Sequence, residues 1–302
     1  MLKLIKEDLE KYTPFLTEKK DCLICGKKKK RKWASYGSFS AVKCSNCGFI
    51  WVNPCLNAQG LKRYYADYIG MRFKDKKKTQ QRTLQYKSDK NFIEQFVSGG
   101  KVLDVGCSGG FFLNELSTSF KKYGSEIDES AVAYAKRMYL FGKNINHCAL
   151  EDLKYPASSF DLVVMRGVIE HLPDPRTALK KVSQLLKPNG FFYIAATPNV
   201  DSFCAEIYRE KWNQFHPIRH LFYFSLRTLT KLLSQYGLTL IAKDFPYLET
   251  PYADIMKDHY EMLRAFNARG KGNFKNISRS RAFWGNMMNV VFQKKINKAN
   301  IK

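Results

Sequence analysis

Two Cys-x-x-Cys-Gly segments stand near the start of this 302-residue chain, CLICG at Cys22 and Cys25 and CSNCG at Cys44 and Cys47, eighteen residues apart. Each is a knuckle. The turn aims two thiolates at one point, and the glycine admits a left-handed backbone. Two knuckles supply the four sulfurs of the tetrahedral shell that zinc prefers. Four protein ligands leave no open position, so the expected zinc is structural, adding folding energy to a module too small for its own core. A redox role is disfavoured, because neither pair opens a helix after a strand. The other cysteines (Cys55, Cys107, Cys148, Cys204) are scattered.

The second chemical feature is residues 102–110, VLDVGCSGG, which end a strand and open a helix. Glycine there lets backbone approach a ligand closely. The dinucleotide template G-x-G-x-x-G, started at Gly106, would put Ser108 and Phe111 in glycine places. Phe111 cannot give close helix–strand packing, so NAD is disfavoured. Gly106, Ser108 and Gly110 fit G-x-G-x-G instead. Glu126 closes the next strand, where a carboxylate can accept both ribose hydroxyls. Asp104 can orient the loop and a ligand's ammonium group.

The elements that must position these residues alternate. KVLDVG, KKYGSEI, INHCAL, FDLVVMRG and FFYIAATPN read as strands. GFFLNELS, ESAVAYAKRMY and DPRTALKKVSQLL read as helices between them, and residues 187–190 as a turn. Such alternation implies right-handed βαβ units and a mainly parallel sheet. LRTLTKLLSQYG reads as a further helix, LTLIAKDF as a sixth strand and MNVVFQKK as the last. The expected fold is α/β, a Rossmann-like seven-stranded sheet with a small N-terminal zinc-ribbon module. The expected division is a zinc-ribbon module at 1–57, a helical linker or lid at 58–97, the core at 98–249, and an insertion, last strand and tail at 250–302. Residues 1–20 read as a short helix and lead-in.

Residues 100–245 resemble class I S-adenosylmethionine-dependent methyltransferases. The resemblance is carried by VLDVGCSGG, by YGSEIDESAVAYAK, and by the run from EDLKYPASSFDLVVMRGVIEHLPDP to TPN. It implies a last strand that runs antiparallel. It also implies S-adenosylmethionine as cofactor, held by Asp104, Gly106, Cys107, Ser108, Gly110, Glu126, Ile127 and Arg166, with Leu150, Glu151 and Asp152 beside the adenine. Ala149 stands where many relatives carry aspartate. FIWVNPCLNAQGLKRYYADYI resembles the N-terminal region of zinc-ribbon methyltransferases found with polysaccharide and sugar biosynthesis. In that family an N-terminal helix closes over the cofactor, and Tyr64, Tyr65 or Tyr68 would line the pocket; the alternative is packing.

Methyl transfer is an in-line displacement with a good, neutral leaving group, so positioning dominates. A hydroxyl or carbon nucleophile also needs a base, and histidine titrates in the right range. His171 follows the fourth strand at the ligand-binding edge, as a residue near the cofactor or as a brace of the loop before Pro173. WNQFHPIRHLFYFS, residues 212–225, resembles the H-x-x-Y-F-S segment of sugar C-methyltransferases. The resemblance implies that His220 and Tyr223 help deprotonate the acceptor. Those enzymes carry Glu-His where this chain has Arg219-His220, and Arg219 could pair with a substrate phosphate. The alternative is that His220 caps the helix starting near Ser225. His147 and His259 are expected to be structural or on the surface.

The leading expectation is O- or C-methylation of a small polar acceptor, a nucleotide-linked sugar or polysaccharide precursor. An RNA methyltransferase is the second reading, supported by the ribbon and a net charge of +24. Against it, strand four ends in Met165-Arg166-Gly167 rather than in a loop for exocyclic amines, and no aromatic RNA-binding motif appears. A non-enzymatic zinc-binding adaptor is the third reading, disfavoured by the intact Asp104, Gly106, Gly110 and Glu126. The charge sits in lysine runs such as 27–32, which suit an anionic partner or a solvated face. No apolar run long enough to span a membrane and no secretory h-region is present, so a cytoplasmic setting is expected, with peripheral membrane contact left open.

Overall fold

The computed structural model describes residues 10–69, 76–139 and 141–295. The part of the expected first helix on residues 1–9, and the tail from 296, lie outside the described residues. The side chain of Tyr68 lies outside them as well. Two compact units are present, each discontinuous in sequence.

One unit takes in the described parts of Met1–Lys74, Pro198–Leu229 and Tyr252–Met287. Strands Lys30–Tyr36, Phe39–Cys44 and Ile50–Val52 form an antiparallel meander. The short strand Phe222–Tyr223 extends it, pairing Phe222 with Trp51 and Tyr223 with Ile50. This sheet is held by aromatic burial. Trp33, Trp212, Phe215 and Tyr223 pack ring against ring, and Phe49 stacks between Trp51 and Phe222. Such pairs add about 0.5–1.5 kcal/mol each beyond area burial. Helix Ile255–Gly270 belongs to the same unit. It buries Asp258, Met262 and Ala265.

The other unit takes in Asp75–Thr197, Thr230–Pro251 and the described part of Met288–Lys302. Its sheet has seven strands: β1 Gly100–Val105, β2 Phe120–Glu126, β3 Ile145–His147, β4 Phe160–Arg166, β5 Leu186–Pro198, β6 Leu238–Asp244 and β7 Met287–Lys294. Their spatial order is β6-β7-β5-β4-β1-β2-β3. β1 to β5 pair in parallel wherever they touch, while β7 runs antiparallel to β6. The expected seven-stranded Rossmann-like sheet with an antiparallel last strand is what the chain forms. The inner strands are apolar on both faces because helices cover both. In β4, Leu162, Val163, Val164 and Met165 are all fully buried. Helix Pro175–Leu185 starts where the side chain of Asp174 accepts from the N–H groups of Arg176 and Thr177, with proline in the first turn.

Several elements differ from the sequence reading. The helix expected over GFFLNELS is only Phe111–Glu115. The third strand stops at His147, because a 3-10 turn, Leu150–Asp152, follows at once. The turn expected at 187–190 lies inside β5. The strand absorbs it as a register shift between Leu186 and Phe191, with Asn189 at φ 61°.

Candidate functional site

The carboxyl edge of β1 and β2 carries the loop. Gly106 has φ 70°, and a Cβ there would lie 2.7 Å from Cγ2 of Val168, so glycine is required twice over. Ser108 also sits at positive φ, 51°, in the place of the middle glycine. Its backbone N–H donates to Oε2 of Glu126 at 2.8 Å, which holds the strained residue in place. The other oxygen of Glu126 accepts from the N–H groups of Ile127 at 2.7 Å and Asp128 at 3.0 Å. The Glu126 carboxylate is therefore fixed in direction before any ligand arrives. A carboxylate has about four acceptor positions, and three are used here.

Asp104 is 2% exposed, and its Oδ1 has no hydrogen-bond partner. Burial lifts its carboxyl to about 8, against the pull of Arg166, with Glu126 adding to the rise. Burial, Asp104 and Glu126 together push the Cys107 thiol well up. An orphaned buried carboxyl of this kind calls for a cation or a donor.

Arg166, at the end of β4, donates from Nε to Asp89 Oδ2 at 2.6 Å and lies 4.4 Å from the centre of the Tyr86 ring. Its Nη2 is buried without a hydrogen-bond partner. Asn289 of β7 donates to Asp89 Oδ1 at 2.9 Å and accepts from the Ala196 N–H at 2.8 Å. Burial pulls the Arg166 guanidinium down, but the attraction and hydrogen bond of Asp89, together with Tyr86 and Tyr193, more than offset it and hold the group charged. The sequence reading missed Asp89 and Asn289. The signal for Asp89 was a carboxylate falling into the apolar register of Tyr86 and Ile93 on helix Lys76–Ile93. Asp128 was missed too. Its Oδ1 accepts from the Ser130 and Ala131 N–H groups, which starts helix Glu129–Tyr139.

The remaining expected cofactor residues lie at the same sheet edge. Ile127 is 56% exposed. Glu151 and Asp152 are exposed on the 3-10 turn after β3. His171 is on the turn Ile169–His171 after β4. Its backbone N–H donates to the Val168 carbonyl, and its Nε2 is 3.9 Å from Glu170. Phe111, the first residue of helix Phe111–Glu115, stacks on Tyr86.

In the first unit, Cys22, Cys25, Cys44 and Cys47 converge, with all four sulfurs within 4.8 Å of one another. Cys22 and Cys47 are 3.4 Å apart and Cys25 and Cys44 3.7 Å. A tetrahedral zinc, about 2.3 Å from each sulfur, needs sulfurs about 3.8 Å apart. The donor set therefore fits that ion. Both knuckles close as expected: the Gly26 N–H donates to the Cys22 carbonyl and the Gly48 N–H to the Cys44 carbonyl, with φ of 68° and 78°. Arg227 adds a hydrogen bond from Nη2 to the Cys47 carbonyl at 2.9 Å.

His220 and Tyr223 lie in this unit as well. The helix Leu226–Ser234 is capped by Ser225, whose Oγ accepts from the Thr228 N–H, so His220 does not cap it. His220 is 4% exposed, and its Nδ1 lies 2.9 Å from the Gln214 carbonyl. Tyr223 is fully buried, and its hydroxyl accepts from the His216 N–H. Tyr64 packs edge-on against Tyr12 and Tyr65, and His147 Nε2 lies 3.0 Å from the Ile127 carbonyl.

The same unit holds a cavity of about 360 Å³ lined by Arg31, Lys32, Trp33, Lys43, Glu206 and Arg209. Arg31 and Lys43 are directly opposite across two strands, a like-charge pairing that costs stability. Glu206 is engaged by Arg209 at 2.5 Å. Among the described residues no carboxylate pairs with Arg31, Lys32 or Lys43. Arg209 lies at φ 48° with its guanidinium 5.6 Å from the Trp33 ring centre.

A nucleoside-binding α/β sheet with a fixed carboxylate at the end of its second strand defines the class. A family model described as a methyltransferase domain matches residues 77–243, more than half of the chain, and the chain belongs to that family. Ubiquinone biosynthesis O-methyltransferases are similar over shorter stretches. That of Coxiella burnetii is 34% identical over 114 residues, covering 34% of this chain and 47% of that protein. That of Thiobacillus denitrificans is 30% identical over 104 residues, covering 33% and 45%. The chain thus spans about half the length of the curated relatives it matches. The fold is similar to that of a Burkholderia thailandensis 1,6-didemethyltoxoflavin-N1-methyltransferase solved with bound 1,6-didemethyltoxoflavin and S-adenosylhomocysteine. There the TM-score is 0.53 at 14% identity, over 88% of this chain and 100% of that one. A Thermotoga maritima S-adenosylmethionine-dependent methyltransferase, described as a possible histamine N-methyltransferase, gives 0.50 at 16% identity, over 78% and 99%. No helix among the described residues is long and apolar enough to cross a membrane.

Proposed function

We propose that this protein transfers a methyl group from S-adenosylmethionine to a small polar acceptor, a nucleotide-linked sugar or polysaccharide precursor, at oxygen or carbon. The observation that carries the reading is the pair of buried carboxylates, Glu126 aimed by three backbone N–H groups and Asp104 left with an orphaned oxygen. Glu126 accepts from the ribose at its one remaining acceptor position. Asp104 faces the ammonium group, and the unsatisfied Nη2 of Arg166 suits the carboxylate of the same amino-acid moiety. The cofactor supplies a methyl on a sulfonium whose departure is neutral. His220, whose Nδ1 lies against the Gln214 carbonyl, is the base we assign to the acceptor's proton. Tyr223, buried among aromatic rings, positions that segment. The basic cavity beside Trp33 suits an acceptor carrying phosphate. The four cysteines hold one structural zinc.

Asp104 makes cofactor affinity depend on pH. The free protein keeps its proton up to about 8, whereas the complex with an ammonium group needs the carboxylate. Affinity for S-adenosylhomocysteine should rise about tenfold per pH unit below that point and level off above it. The same raised value makes the free protein lose stability as pH climbs from the usual carboxylate range toward about 8. Calorimetry across pH is the measurement, and a flat profile in wild type would remove the ammonium assignment. In Asp104→Asn the slope should vanish.

The acceptor class is tested by incubating the protein with methyl-labelled S-adenosylmethionine and either total RNA or a nucleotide-sugar pool. Label is expected in the nucleotide sugars, and it should fall at least tenfold in the Arg31→Ala, Lys43→Ala double variant. Label entering RNA alone would replace this reading with an RNA methyltransferase.

A further inference from the structure

The outer face of helix Ile255–Gly270 is apolar and uncovered. Met256 is 83% exposed, Tyr260 63%, Leu263 63% and Phe266 51%. The spacing of Met256, Tyr260 and Leu263 puts them on one stripe. Phe203, 49% exposed, packs ring to ring with Phe266, and Trp284, 48% exposed, packs against His259. At 1.5 Å per residue the helix is about 24 Å long. Monomeric proteins rarely leave so large a contiguous apolar surface in water.

The inner face is fixed. Arg281 pairs with the buried Asp258, the Tyr208 hydroxyl donates to the Glu261 carbonyl, and Arg269 donates to the Ile207 carbonyl. The exposed stripe therefore cannot turn inward without breaking these bonds.

Charge decides what covers it. Lys257 in the first turn and Lys271 just past the last are both exposed, and between them Arg264 is exposed and paired with Glu261. The nearby carboxylates are already engaged, Asp254 by Arg281 and Glu261 by Arg264. A second copy would bring another chain of net charge +24, with the same exposed lysines, against this face. A helix with Tyr, Leu, Phe and Met on one side and Lys and Arg beside them is instead the pattern of a segment lying in a lipid–water interface. We propose that this helix face, with Phe203 and Trp284, docks the protein peripherally on an anionic lipid surface. The inference does not depend on the reaction proposed above.

The test is flotation of the full chain with phosphatidylcholine vesicles, alone or containing about 30% phosphatidylglycerol, at low and high salt. Co-flotation with the anionic vesicles is expected, falling at least tenfold on neutral vesicles or at high salt. The Met256→Glu, Leu263→Glu double variant should lose it at an unchanged melting temperature, since both side chains are in solvent. Lys257→Glu, Lys271→Glu should lose it as well. Equal binding to neutral vesicles, or no flotation at all, would overturn the proposal. So would light scattering that shows a wild-type dimer which Met256→Glu, Leu263→Glu makes monomeric.

Discussion

Glu126→Ala should reduce the affinity for S-adenosylhomocysteine by a hundredfold or more in isothermal titration calorimetry. Two effects add. The variant cannot accept from the ribose, and a hydrogen bond to a charged group contributes about 1.5–3 kcal/mol. It also orphans the N–H groups of Ser108, Ile127 and Asp128, which now end on one carboxylate. Ser108 then has nothing to hold it at φ 51°, and the loop is free to leave the shape the ligand needs. Glu126→Gln separates the two effects. Its single carbonyl oxygen can satisfy only part of the set, so its affinity should fall between wild type and alanine. An unchanged affinity in Glu126→Ala would end the ribose assignment.

Metal removal has the second large effect. Purified protein should carry one zinc per chain by elemental analysis, and Cys44→Ser should carry far less. Structural zinc contributes about 10–16 kcal/mol in isolated zinc-finger peptides. Here the sheet behind the knuckles has an aromatic core of its own, so the loss should be smaller and confined to one unit. Trp33 and Trp51 lie on strands continuous with the knuckles and report it. Chelation should lower the melting temperature and shift tryptophan emission to the red, as water reaches those rings. Protein purified without zinc, or chelation that leaves both readouts unmoved, would refute the metal centre.

The seven-stranded sheet was legible because its signals are local and redundant. VLDVGCSGG, the acidic end of KKYGSEI and the apolar FDLVVMR each name a strand and its neighbours. The knuckles were legible for the same reason, since thiols and glycine are close in sequence. What was not legible depends on long-range pairing. Nothing near Phe222 says that it will join a sheet begun almost two hundred residues earlier, nor that Asp89 will meet Asn289. His220 read as a cap candidate because it precedes Ser225, but a serine hydroxyl reaches the Thr228 N–H from its own position and left the histidine to the Gln214 carbonyl. The helix at Phe111 is short because the backbone turns extended at Leu116, with ψ 148°, and the next strand starts at Phe120.

The position of β7 between β5 and β6 has a consequence for how the chain is made. Of the seven strands, the one that completes the sheet is made last. Until then β5 and β6 each present an unsatisfied edge, and buried Asp89 lacks the Asn289 amide that satisfies it. A nascent chain halted before Met287 would expose two adhesive strand margins at once, which makes the interval before β7 emerges the one in which this sheet most needs a chaperone.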